Sequence, residues 1–206
     1  AYKPQNQTLV DDNFGYFSGE AFAQNGWRNG YAITGSSSVV AADFFNDTDN
    51  QSFLIGYGTG AGSYTSAAGV GTSDNFKTDS VNIVFSMIFG SYHGDWDYEL
   101  NPLMPSALAS KGSILTCAWA GRPNWHMHHM ALGQPIWLST YWTWLNSFLN
   151  FPVYPPNFGA DLVHVGLLGD PTLRAHSVIP PASLTAAPNC SAVDLAWAAS
   201  PDAALA

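Results

Sequence analysis

The sequence predicts an α/β domain, with a mostly parallel sheet covered by helices on both faces, followed by a separate β segment. Three observations carry this prediction. Short apolar blocks alternate with stretches of helical composition, which is the order of βαβ units. The block Val81–Phe89 is almost continuously apolar, as a strand is when both faces of its sheet are covered. The run Ile179-Pro180-Pro181-Ala182 reads as a stiff linker that sets off residues 183–206 from the rest.

The elements come in this order along the chain. Thr8-Leu9-Val10, running into Asp11-Asp12-Asn13, is a short buried strand ending in a polar loop. Residues 19–27 have helical composition and close on a glycine stop. Residues 38–42 form a weak second strand, and residues 51–57 a third that ends in Gly-Thr-Gly-Ala-Gly. Val81–Phe89 is the fourth strand and runs into Gly90-Ser91-Tyr92-His93-Gly94-Asp95. Residues 102–110 can form a helix, with Pro105 near its start. Residues 113–119 are the next strand, 126–148 are mostly helical with an interruption near Pro135, and 161–168 are a last buried strand before the turn at Gly169-Asp170-Pro171-Thr172. In such sheets ligand sites lie beyond the carboxyl ends of the strands, where the glycine-rich stretches after Tyr57 and Phe89 would sit.

Composition narrows the functional classes. Apolar residues make up 47% of the 206, ample for a core. Only 10% are charged, against about 25% in a typical globular protein, so the surface must be largely Gly, Ser, Thr, Asn and Gln. The net charge is −9 with six Lys and Arg. Nucleic-acid binding needs clustered cations and is excluded; anionic membrane surfaces are disfavoured on the same ground. The apolar runs are too short to span a bilayer. The two cysteines, Cys117 and Cys190, exclude a disulfide framework, and since they fall in separate domains no bridge between them is expected. No signal peptide is visible at Ala1, and the chain is expected to be an internal fragment whose first domain lacks its N-terminal part.

Gly166-Leu167-Leu168-Gly169-Asp170-Pro171-Thr172-Leu173-Arg174 resembles the closing stretch of gingipain-family cysteine peptidase domains, and the order of elements over about residues 8–178 is similar to theirs. The resemblance implies a caspase-like three-layer sandwich, peptidase activity on a protein or peptide substrate in active members, and a secreted or cell-surface location. It assigns residues 1–178 to the peptidase-like domain and 179–182 to a linker. Residues 183–206 are similar to the opening of a fibronectin type III domain. There Ser183–Ala187 reads as a spacer and Val193–Trp197 as a half-buried strand without partners.

Active members of that family use a His after one strand and a Cys at the end of the next. A thiolate attacks the scissile carbonyl, and the imidazole lowers the thiol pKa and carries the proton. In this chain Thr59 of Gly58-Thr59-Gly60 stands where the resemblance implies the His, and Ser91 falls nearest the implied Cys. Thr is no base near neutral pH, and Ser without a base is a poor nucleophile, so this register implies a pseudo-peptidase. A second register keeps a dyad of His93 and Cys117 by local pattern, but it uses strands one step too late. The count of strands favours the first.

Other constellations compete with plainer readings. His126-Met127-His128-His129 has the residue types of a zinc site, with Asp95, Asp97 or His164 as further ligands, but reads more simply as an aromatic-rich helix start. Asp11, Asp12, Asp95 and Asp97 are candidate Ca²⁺ ligands, or else solvated acids at strand ends. No other cofactor is expected. Gly56–Gly62 lacks the Gly-Lys-Ser/Thr ending of a phosphate loop. Trp137, Tyr141, Trp142, Trp144 and Phe148 have near-helical spacing and would serve a glycan- or protein-binding module if exposed and coplanar, or core packing if not. Asn6, Asn46, Asn50 and Asn189 open glycosylation sequons, a pattern frequent by chance in an Asn-rich chain.

Overall fold

The computed structural model describes residues 4–17, 20–97, 100–120, 125–146, 165–176, 182–189 and 192–198. Contacts divide the chain into two units, Ala1–Ala175 and His176–Ala206.

The first unit is α/β. Six strands form one sheet: β1 (Thr8–Asp12), β2 (Val39–Ala41), β3 (Phe53–Thr59), β4 (Ile83–Phe89), β5 (Thr116–Ala120) and β6 (Val165–Gly169). Their order across the sheet is β6-β5-β4-β3-β1-β2. The pairs among β1 to β5 are parallel, and β6 runs antiparallel along the edge of β5. Every residue of β3 and β4 is buried, which is why both read as continuous apolar runs.

Helices lie against both faces. On one face α1 (Ala23–Thr34), α4 (His128–Ala131) and α5 (Ile136–Asn146) share a core with Val10, Tyr57, Met87 and Ala118. On the other, α2 (Ser73–Thr78) and α3 (Leu103–Leu108) share one with Leu9, Ile83, Ile88 and Cys117. This arrangement is compatible with a three-layer sandwich.

Two local expectations are corrected. The first helix does not stop at a glycine near residue 27; it begins at Ala23 and runs through Gly26 and Gly30 to Thr34. Gly26 serves close approach, since a Cβ there would lie 2.5 Å from the Tyr57 ring. The stretch after β3 is more than a tight turn. It folds into a three-stranded meander (Gly62–Ser63, Ser66–Ala67, Gly71–Thr72) and then into α2. Thr72 caps that helix by accepting the Asn75 amide, while Asn75 Oδ1 accepts the Thr72 amide in return. The last strand is described over Val165–Gly169, and residues 161–164 of the expected strand lie outside the described residues.

In the second unit, Val193–Ala198 (β8) is not without a partner. It pairs antiparallel with Ala182–Pro188 (β7), so the expected spacer is itself a strand. Leu184, Val193, Leu195 and Trp197 remain 58–70% exposed on this hairpin.

Candidate functional site

The carboxyl ends of β1, β3 and β4 come together, as the parallel arrangement requires. Asp12 is in register with Thr59, and Thr59 with Phe89. The ladder continues past the strand ends: the Asn13 amide donates to the Thr59 carbonyl at 2.8 Å, and the Gly60 amide to the Phe89 carbonyl at 3.0 Å. Thr59 and Ser91 are therefore carried at the ends of adjacent strands. Gly62 lies directly against Ser91, where a Cβ would stand 2.3 Å from the Ser91 backbone. Only glycine lets these two segments approach so closely.

The two hydroxyls differ in setting. Thr59 is fully buried, and its Oγ1 donates to Asp12 Oδ1 at 3.1 Å. The same carboxylate oxygen accepts the amides of Phe14 and Gly15 at 3.1 and 2.9 Å. Ser91 is exposed. Next to it Tyr92 holds a left-handed backbone (φ 70°) and sets its ring against Tyr64, with centroids 5.1 Å apart. A residue with a β-carbon in that region is uncommon.

His93 and Cys117 are placed differently. His93 is 1% exposed, on the loop after β4, with Nε2 3.0 Å from the Ser66 carbonyl of the meander. Burial lowers its pKa, partly offset by the carbonyls of Ser66 and Ile88. Cys117 lies within β5, in register with Ser86 in the middle of β4 and buried against the α2–α3 face. Burial pushes its thiol up to about 12, and the neighbouring Ser86 hydroxyl offsets this only in part. The imidazole and the thiol find different partners.

Among the described residues, no group of three or more His, Cys, Asp or Glu side chains could hold a metal ion. Asp11 is engaged internally: Oδ2 accepts the Phe44 amide at 3.1 Å and Oδ1 the Asn13 side-chain amide at 2.6 Å, while burial raises its carboxyl above the usual range. Asp95 and Asp97 are exposed, and His164 lies outside the described residues. His126, His128 and His129 do sit close together, with ring centroids 6.5 Å apart for the first two and 4.1 Å for the last two.

On α5, Trp137, Tyr141 and Trp144 are 44–48% exposed, and Trp142 is 37% exposed. Their rings are not coplanar. Trp137 and Tyr141 are inclined by 59°, Tyr141 and Trp142 by 69°. Phe148 lies outside the described residues. No helix among the described residues is long and apolar enough to cross a membrane.

One feature near the strand ends escaped sequence reasoning. Asn25 and Asn29 of α1 grip the backbone around Trp125 with four hydrogen bonds, at 3.0, 3.0, 3.2 and 3.0 Å. The only signal in the sequence is an Asn pair at i, i+4, which places both on one helix face. Reading a stop near Trp27 hid it.

Comparisons with protein-family models, with curated proteins and with solved structures find no match to this chain.

Proposed function

We propose that residues 1–178 are a gingipain-like, caspase-type cysteine peptidase domain that has lost its catalytic dyad, carried in an exported multidomain protein and followed by a fibronectin type III-like segment. The observation that supports this reading most is the placement of Thr59 and Ser91 at the ends of adjacent parallel strands. These are the positions where the resemblance implies His and Cys. Neither side chain can supply the chemistry: the Thr59 hydroxyl is spent on Asp12, and Ser91 has no base in the dyad position beside it.

The competing active form would use His93 and Cys117. It is disfavoured because that thiol is buried in mid-strand with its pKa pushed up to about 12, where it is un-ionised at neutral pH. A glycan-binding module is disfavoured by the tilted rings on α5. What the degenerate domain retains is the strand-end surface, which is available for peptide contact without cleavage.

The test is a thiol-directed suicide inhibitor together with a mixed peptide library, applied to the full chain. The expected outcome is no turnover and no covalent adduct on Cys117. An adduct on Cys117 that disappears in His93→Ala would overturn the proposal and establish the His93–Cys117 enzyme instead.

A further inference from the structure

An N-linked glycan needs two groups of its sequon: the Asn amide nitrogen, which takes the sugar, and the Ser or Thr hydroxyl two residues on, by which a transferase reads the site. Asn6-Gln7-Thr8, Asn46-Asp47-Thr48 and Asn50-Gln51-Ser52 all lie within the described residues, and all three asparagines are exposed. The amides therefore do not distinguish the three sequons. The hydroxyls do.

A hydroxyl has one hydrogen to give. That of Thr48 is committed: the side chain is fully buried, and Oγ1 donates to the carbonyls of Phe44 and Phe45 at 3.0 and 3.1 Å. Thr8 is also fully buried, with Oγ1 2.9 Å from Thr34 Oγ1. Thr34 gives its own hydrogen to the Gly30 carbonyl at 3.0 Å, so Thr8 is the donor of the pair and its hydrogen is committed too. Ser52 differs. It is half-buried, its Oγ accepts the Gln5 amide at 3.0 Å, and among the described residues it donates to no acceptor. One lone pair is occupied while the hydrogen stays available to an incoming enzyme.

The local fold explains the contrast. Residues 44–50 are a run of turns. Inside it the Asp43 carboxylate accepts the amides of Phe45 and Asn46, and Asn82 Nδ2 donates to the Thr48 carbonyl, so the Asn46 sequon is wound into fixed backbone. Asn50 stands at the end of the run, just before the chain enters β3 at Phe53. The Asn50 sequon thus lies at the amino end of β3, and the seven residues of that strand put roughly 20 Å of extended chain between it and Thr59.

We propose that Asn50 is the acceptor of an N-linked oligosaccharide in the folded chain, and that folding closes the Asn6 and Asn46 sequons by burying their hydroxyls. The donor is an oligosaccharide carried on a polyprenyl diphosphate. Asn50 Nδ2 forms a bond to C1 of the first sugar, the bond from C1 to the diphosphate oxygen breaks, the diphosphate leaves with the electron pair, and the amide proton goes to a base of the transferase. A glycan at this end of the sheet leaves the carboxyl ends, with Ser91, uncovered.

The full chain, folded before any enzyme is added, is incubated with a single-subunit oligosaccharyltransferase and a polyprenyl-diphosphate-linked oligosaccharide, and glycopeptide mass spectrometry reads occupancy at positions 6, 46 and 50. In parallel the full chain is translated into microsomes, where transfer precedes folding. In the folded chain Asn50 should be modified roughly tenfold or more faster than Asn6 or Asn46, because a fully buried hydroxyl is reached only through local opening. Ser52→Ala should reduce the product at Asn50 to background. In microsomes the gap should narrow to a few-fold. Since transferase and donor are supplied, these outcomes do not depend on the peptidase-like reading. An Asn50 left bare in the folded chain would overturn the proposal, as would equal occupancy at all three sites. Asn6 and Asn46 left bare in microsomes as well would trace the gap to the sequons themselves instead of to folding, and would overturn it too.

Discussion

Ser91, just past the end of β4, and Cys117, within the neighbouring β5, are two candidate nucleophiles, yet their environments are opposite. Ser91 lies just past the end of β4, exposed, with glycine backbone pressed against it. Cys117 lies level with Ser86, in the middle of β4, with no exposed surface. In a sheet covered on both faces, position along the strand decides what a side chain can do. Mid-strand positions pack, and only the strand ends meet solvent and substrate. The Cys117 thiol lies where burial disfavours ionisation, and the Ser91 hydroxyl lies where it meets solvent.

Thiol reactivity should show the contrast most strongly. In a Cys190→Ser background, Ser91→Cys places a second thiol at the strand end. An exposed thiol of pKa about 8.5 is roughly one-tenth ionised at pH 7.5. One pushed up to about 12 is ionised more than a thousandfold less. Alkylation followed by mass spectrometry should therefore modify position 91 on the order of 10³ times faster than Cys117. The Cys117 rate should keep climbing with pH to the limit of the folded range, with no plateau below pH 7. Comparable rates at the two positions would erase the comparison.

Stability should show it next. Cys117→Asp puts a carboxylate into the core cluster that holds Ile88 and Met104, with only the Ser86 hydroxyl beside it, at a cost of several kcal/mol. Ser91→Asp adds the same group in solvent and should change stability by no more than about 0.5 kcal/mol. Urea denaturation of the two variants measures both. A mild Cys117→Asp would mean that the strand centre is wetter than its burial implies.

Much of this fold was legible because burial on both faces leaves an unmistakable trace. β3, β4 and β5 read directly from apolar runs, and the apolar flanks of Cys117 already indicate a raised thiol. Elements lacking such runs were not legible. The meander and α2, over residues 62–78, are built from Gly, Ser, Thr and Asn, and are specified by close backbone approach and a capping box, which leave no periodicity. In α1, glycines that ordinarily end a helix are instead what lets it settle onto Tyr57, a contact formed only after folding. Ser183–Ala187 lacked a strand pattern because pairing with β8 decides its conformation more than its own side chains do. The strand-end pair was legible only through resemblance. Thr59 and Ser91 are far apart in sequence, and no spacing rule joins them before the sheet does.

The smallest expected effect concerns how firmly Thr59 is built into the end of β3. Thr59→Val keeps the shape of the side chain and removes one hydroxyl donor. What is lost is the 3.1 Å bond to Asp12 Oδ1. Asp12 is exposed and keeps the Phe14 and Gly15 amides, so water can take up the freed lone pair and no buried acceptor is orphaned. The fully buried position 59 gains a methyl group in place of a hydroxyl, which offsets part of the loss. The net destabilisation should be about 1 kcal/mol or less by urea denaturation, with the inert response to the suicide inhibitor unchanged. A cost above about 3 kcal/mol would show that the Asp12–Thr59 bond holds the β1 and β3 ends together. Thr59 would then be a structural keystone, and its occupation of the position where a catalytic imidazole is implied would no longer speak for lost function.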